Sequence, residues 1–254
     1  ANCLGVFRLT GSVEYARMAD EIVGYLNARL FDAETGAFFG CEDFLVREGS
    51  SDGEWLSIVD RCVYTDANAV AAAAYLQASA LLGRIECRMR ALNLLDWLWN
   101  RCRSAAHGMY HYYYNGGGAG RSGMLLDQAL VGTAMLEAYG ASGDPKYLEW
   151  ARADAEFILG RLKNPAAGFY DCAGREHGVL VFPLMDLDQN GTTATFFLRM
   201  AEASGDPKYH QAASWALRAA RADAAAYGLD ASRLGRALGE LLNSSQPRRK
   251  SSGN

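Results

Sequence analysis

Ala141-Ser142-Gly143-Asp144-Pro145-Lys146-Tyr147 returns as Ala203-Ser204-Gly205-Asp206-Pro207-Lys208-Tyr209. Two looser copies precede them, Leu9-Thr10-Gly11-Ser12-Val13-Glu14-Tyr15 and Leu81-Leu82-Gly83-Arg84-Ile85-Glu86-Cys87. Successive central glycines stand 72, 60 and 62 residues apart. Each copy lies between two helical patterns, so each reads as the tight turn of a helical hairpin. A repeat near 60 residues built from paired helices makes an α/α array, a solenoid or a closed toroid.

The two helices of a hairpin differ. The second is amphipathic: in 12–30, Val13, Ala16, Val23, Leu26 and Leu30 form one stripe, and 145–162 repeats it with Leu148, Ala151, Ala155, Ile158 and Leu162. Asp144 and Asp206 read as N-caps, each followed by a proline in the first turn. The first helix is apolar nearly all round, as in 69–76 and 129–136, which predicts burial on every face. The expected architecture is therefore an inner ring of small-residue helices inside an outer ring of amphipathic ones. Three outer helices lead to a glycine followed by large, mostly aromatic residues: Gly36-Ala37-Phe38-Phe39, Gly108-Met109-Tyr110-His111 and Gly168-Phe169-Tyr170-Asp171. The glycine reads as the helix stop. The longest connection, 40–60, reads as a functional or disordered loop.

The chain has 254 residues, half of them hydrophobic, and a net charge of −4, which excludes an electrostatic nucleic-acid surface. No apolar run reaches membrane-spanning length. The six cysteines (3, 41, 62, 87, 102, 172) show no metal-ligand spacing, and they read as reduced thiols, mostly in apolar helical contexts, in a cytoplasmic protein. The reading is all-α: one α/α toroid domain over 1–242 and a disordered tail over 243–254. Four turns and a last helix near 230–242 give about nine helices against the twelve of a complete toroid, so the ring is expected to be incomplete, with further repeats upstream.

The inner helices begin with polar residues: Tyr64-Thr65-Asp66-Ala67-Asn68, Leu126-Asp127-Gln128 and Asp186-Leu187-Asp188-Gln189-Asn190. Asp66, Asp127 and Asp188 are 61 residues apart. In a toroid these N-termini share one end of the central cavity, the end that also receives the aromatic connections. An aspartate there is also an ordinary N-cap. The candidate catalytic set is Asp66, Asp127, Asp188 and His111, the last a suitable acid/base group near neutral pH. The candidate ligand-binding set is Asp60, Tyr64, Asn68, Tyr110, Tyr112, Gln128, Tyr170, Asp186 and Asn190. Tyr113, Phe169 and Trp55 join the aromatics that either stack on sugar faces or seal the helix layers. His177 reads as part of a solvent-facing hairpin turn, His210 as an exposed outer-helix residue, and Gly116–Gly120 as a flexible loop without the ending of a phosphate cradle.

These stretches, 36–39, 64–69, 125–130, 168–171 and 188–192, resemble the C-terminal helical region of YyaL-type (spermatogenesis-associated) thioredoxin-domain-containing proteins. The resemblance covers roughly 1–220 and implies a six-hairpin toroid like that of N-acylglucosamine 2-epimerases and several glycosidases, a sugar-like small-molecule ligand, and a thioredoxin-like domain elsewhere in the parent chain. Ala67 stands where that family carries Trp, Gln128 where it carries a second acid, and Gln189-Asn190-Gly191-Thr192 where it carries a Ser-Gly-Asn type segment. Two functions follow as expectations: a sugar isomerase or hydrolase acting through cavity carboxylates, or a non-catalytic ligand-binding or scaffold domain. No cofactor and no metal are implied. A terpene-cyclase type of toroid needs a denser acidic cluster than Asp186-Leu187-Asp188.

Overall fold

All four repeated turns close a helical hairpin. In this computed structural model, which describes residues 2–46, 55–173, 183–219, 228 and 232–244, the hairpins are α1 (Asn2–Thr10) with α2 (Val13–Tyr25), α3 (Thr65–Leu82) with α4 (Ile85–Arg101), α5 (Leu125–Ser142) with α6 (Pro145–Phe157), and α7 (Leu187–Ser204) with α8 (Pro207–Leu217); α9 (Ser232–Ser244) follows. Gly11, Gly83, Gly143 and Gly205 take φ of 68–72°, the left-handed conformation that ends the inner helix without a Cβ clash. The outer helix then restarts at once. The Asp144 and Asp206 carboxylates each accept the amide two residues on, at 3.0 Å, with Pro145 and Pro207 opening the helix.

Inner helices α1, α3, α5, α7 and α9 stand side by side in chain order, and α2, α4, α6 and α8 lie outside them. The apolar inner helices are buried as their composition predicts: Leu125, Ala129, Val131, Ala134 and Met135 of α5 are wholly enclosed. Close approach depends on missing side chains. A Cβ on Gly132 would enter the Phe196 ring, and one on Gly191 would stand 2.5 Å from the Leu234 backbone nitrogen of α9. No described helix is long and apolar enough to cross a membrane.

Several expectations change. The outer stripe is buried in α6 and the π-helical turn after it, where Ala151, Ala155, Ile158 and Leu162 are enclosed, but Val13 of α2 is 76% exposed. α2 lies at the edge of the array and has fewer elements to pack on. Gly36, Gly108 and Gly168 do not stop helices. The first and third outer helices end in π-helical turns, Leu26–Leu30 and Ile158–Leu162, and α4 ends at Arg101. Gly36 and Gly168 lie in the bends that follow and Gly108 opens a strand, all three at φ of 66–76°. Cys3, Cys41, Cys62, Cys87 and Cys102 form no disulfide, with Cys41 exposed, and of the six cysteines only Cys3 and Cys87 lie inside helices. Burial pushes the Cys102 thiol up to about 12, which makes it unreactive.

The connections hold strands that the all-α reading omits. β1 (Cys41–Val46) and β2 (Trp55–Asp60) form an antiparallel hairpin in place of the expected loop. Glu42 of β1 is bonded by Arg29 and by the Tyr25 hydroxyl, which ties the hairpin to the end of the first outer helix. β5 (Gly108–Tyr114) pairs with β3 (Val63–Tyr64), β4 (Arg103–Ser104) and β6 (Gly118–Ser122), so Gly116–Gly120 forms the turn and first residues of a β-hairpin. His177 and residues 245–254 of the expected tail lie outside the described residues, and α9 extends to Ser244.

Candidate functional site

β5 is anchored on both sides to inner-helix N-termini. β3 pairs with it and runs straight into α3, and β6 pairs with it and leads within three residues into α5. The buried Thr65 hydroxyl donates to Tyr110 O at 2.5 Å, and the buried Gln128 amide accepts Met109 N–H at 3.0 Å. These two bonds hold the residues just before His111. Its imidazole therefore sits where α3 and α5 begin, between Asp66 and Asp127.

One donor atom from each of Asp66, His111 and Asp127 lies within 4.8 Å of the other two. His111 Nδ1 is 3.1 Å and 3.2 Å from the two Asp127 oxygens. The Asp127 side chain is 1% exposed and that of His111 30%. Burial pushes the Asp127 carboxyl up to about 6, against the pull of His111. The hydrogen bond from Asp127 raises His111, with desolvation opposing it. A proton is thus held between a buried carboxylate and a half-exposed imidazole near neutral pH. The same imidazole and two carboxylates are the donors that could hold a divalent cation, but the Nδ1–carboxylate contact would first have to open.

Neither aspartate is an N-cap. The cap positions are Tyr64 and Met124, which make no side-chain capping bond. Asp66 spends one oxygen on the Ala67 amide at 2.7 Å. Capping falls instead to Asp186, whose carboxylate accepts Gln189 N–H at 2.8 Å. Asp188 pairs with Arg233 of α9 at 3.0 Å and is outside the cluster. The even aspartate rhythm therefore yields two site residues and one docking residue.

Asn68, Gln128 and Asn190 are buried clamps. Asn68 accepts Phe38 N–H at 2.8 Å and donates to Phe38 O and Tyr64 O. Gln128 bonds both polar atoms of the Met109 backbone, and Asn190 those of Phe169. With their amides turned onto the main chain at 0–1% exposure, they are withheld from a ligand.

Tyr64 reaches the site: its ring centroid is 5.9 Å from that of His111 and its hydroxyl donates to Asp60 at 3.1 Å. That bond pushes the phenol up to about 12. Gly40 makes room for the pair, since a Cβ there would stand 2.7 Å from the Tyr64 ring. Tyr112 lies across the β-hairpin over Gly120, and Tyr113 packs edge-on against Trp97 at 5.2 Å. Phe169 is fully buried, Tyr170 half-buried, Trp55 66% exposed, and His210 half-buried rather than exposed.

Sequence reasoning missed Arg121. Its charge acts on both His111 and Asp127, and its φ of 47° is the only positive value at a non-glycine among the described residues. The opposite, turn end of the array is not solid. A cavity of about 800 Å³ opens there, lined by Leu4, Arg8, Gln77, Glu137, Arg199 and Glu240 among others. Arg199 donates to Glu137 at 2.9 Å inside it.

No protein-family model and no curated protein matches the chain. Solved structures do. A GH76 alpha-mannanase of Bacteroides thetaiotaomicron is 14% identical with a TM-score of 0.58, over 72% of this chain and 53% of that one. Cellobiose 2-epimerase of Spirochaeta thermophila is 15% identical with a TM-score of 0.69, over 89% and 57%. Unsaturated glucuronyl hydrolase of Bacillus sp. GL1 is 17% identical with a TM-score of 0.64, over 85% and 58%. These are six-hairpin toroids, and the likeness establishes the fold. The chain spans little more than half the length of each.

Proposed function

We propose that the chain carries a carbohydrate-processing site in which His111 is the general acid/base, Asp127 positions it and Asp66 is the second proton-handling group. The observation that carries this reading is the convergence of the three side chains at the N-terminal end of the inner helices. A buried carboxylate on Nδ1 fixes the tautomer and leaves Nε2 for a substrate proton. Asp127 is too enclosed to meet a sugar itself, which speaks against a pair of free carboxylates and so against simple glycoside hydrolysis. Proton transfer next to a carbonyl, as in aldose–ketose isomerisation, fits one oriented imidazole with one accessible carboxylate. The sugar epimerases, isomerases and hydrolases among the structural neighbours support a sugar-like ligand as analogy of fold.

The test is washout of the sugar C2 proton in D₂O, followed by NMR over a panel of aldoses and ketoses. We expect Asp127→Asn to lower the exchange rate about 10²–10⁴-fold with the melting temperature kept. Its acid limb should move to lower pH, because the carboxylate that favours charged imidazole is gone. Full activity in this variant, or loss only together with the fold, overturns the reading. The second reading is a ligand-binding domain of a YyaL-type parent protein. It is favoured by Ala67, Gln128 and Asn190 standing where that family differs, and it predicts sugar binding without exchange.

A further inference from the structure

We propose that Arg121 is an anion-recognition residue and that the ligand of this site is a sugar bearing a carboxylate. This inference rests on the sugar-site reading above and names its substrate class. The β5–β6 register runs Tyr110↔Ser122 and Tyr112↔Gly120, so Arg121 stands across from His111, and no ladder pair forms at that position. Its backbone is held at φ 47° in a segment where Gly116, Gly118 and Gly123 take the other left-handed positions. Glycine would adopt that conformation without strain. The arginine charge is felt by His111 and Asp127, but its side chain makes no hydrogen bond or ion pair with the described residues in return. It is exposed, and among the described residues no carboxylate, hydrogen-bond acceptor or aromatic ring holds it. Arg29, Arg84, Arg199 and Arg233 each hold an acid, and Arg61, Arg90 and Arg218 lie on rings. Arg8, Arg101 and Arg161 are exposed without such a partner, but they lie on helices away from the site and none has a positive φ. A strained position carrying an unpaired guanidinium beside an acid/base dyad suits a ligand carboxylate, which the planar fork binds through two parallel hydrogen bonds. A neutral sugar would leave that fork in water.

Binding of D-glucuronate and D-gluconate, compared with D-glucose and D-mannose, tests this by calorimetry without requiring turnover. The intact chain should prefer the acids at least tenfold. Arg121→Gly should erase that preference while raising the melting temperature by about 2–4 °C through relief of strain, and Arg121→Lys should keep part of the preference. Equal affinity for acids and neutral sugars, or an unchanged preference in Arg121→Gly, overturns the inference and leaves the sugar site standing. Binding of none of the four sugars overturns both.

Discussion

The fourth residue of α3, α5 and α7, Asn68, Gln128 or Asn190, does the same local work. A primary amide offers one acceptor and two donors, which matches a backbone N–H and C=O on the incoming strand plus one carbonyl of its own first turn. Asn190 fills all three places, with Phe169 N–H, Phe169 O and Asp186 O at 2.8–2.9 Å. Asn190→Ala would strand the buried Phe169 groups. Each stranded group costs about 1–3 kcal/mol, so the melting temperature should fall by roughly 5–10 °C. Asn190→Gln, the residue natural at 128, should recover part of the loss. A thermal melt decides it: if Asn190→Ala melts like the unaltered protein but binds sugar more weakly, the amide is a ligand contact and not a clamp.

At the scale of elements, α9 is held by absence as much as by contact. Gly191 lets the α9 backbone come close enough that a Cβ would stand 2.5–2.8 Å from Leu234 N, Arg233 C and Leu234 Cα. Backbone atoms cannot rotate away as a side chain can, so Gly191→Ala should undock α9 and break the Arg233–Asp188 pair at 3.0 Å. Amide exchange over 232–244 should rise sharply while exchange over α5 stays slow; protection of 232–244 equal to that of the unaltered chain would refute the close-approach argument. The hairpin turns could be read from sequence because Gly143, Asp144 and Pro145 act within four residues of one another. The strands could not. β3 pairs with β5 across some fifty residues, and β6 is Gly-Ala-Gly-Arg-Ser, which has poor strand propensity. Periodicity pointed to Asp66 and Asp127, but it pointed equally to Asp188, whose fate depends on where α9 docks. Arg121 left no signal, because its strain exists only as a backbone angle inside what reads as a glycine loop.

The whole molecule should be more stable at pH 6 than at pH 8, the reverse of the usual acid sensitivity. Asp154 is fully buried on α6, with both carboxylate oxygens unbonded and Arg103 Nε at 3.7 Å, beyond hydrogen-bond reach. Arg103 is occupied on its other side by the Trp99 ring at 4.0 Å. Burial pushes Asp154 up to about 8, with Arg103 opposing. Between about pH 4 and 8 the folded chain therefore keeps a proton that the unfolded chain releases. The native state binds more protons in that window, so stability falls as pH rises, by at most ~1.4 kcal/mol per unit for one group. His111, raised by Asp127, acts with the same sign above its ordinary value. Asp127, at about 6, adds to the slope only below that pH. Asp206, lowered by the Lys208 amide, titrates below this range and leaves it unaffected. Urea unfolding at pH 6, 7 and 8 should show midpoints declining with pH. Asp154→Asn, which cannot titrate, should flatten most of that decline and leave the smaller contribution of the His111–Asp127 pair. A slope unchanged in Asp154→Asn, or stability that climbs towards pH 8, would mean that Arg103 keeps Asp154 ionised and that the contact is a true buried ion pair.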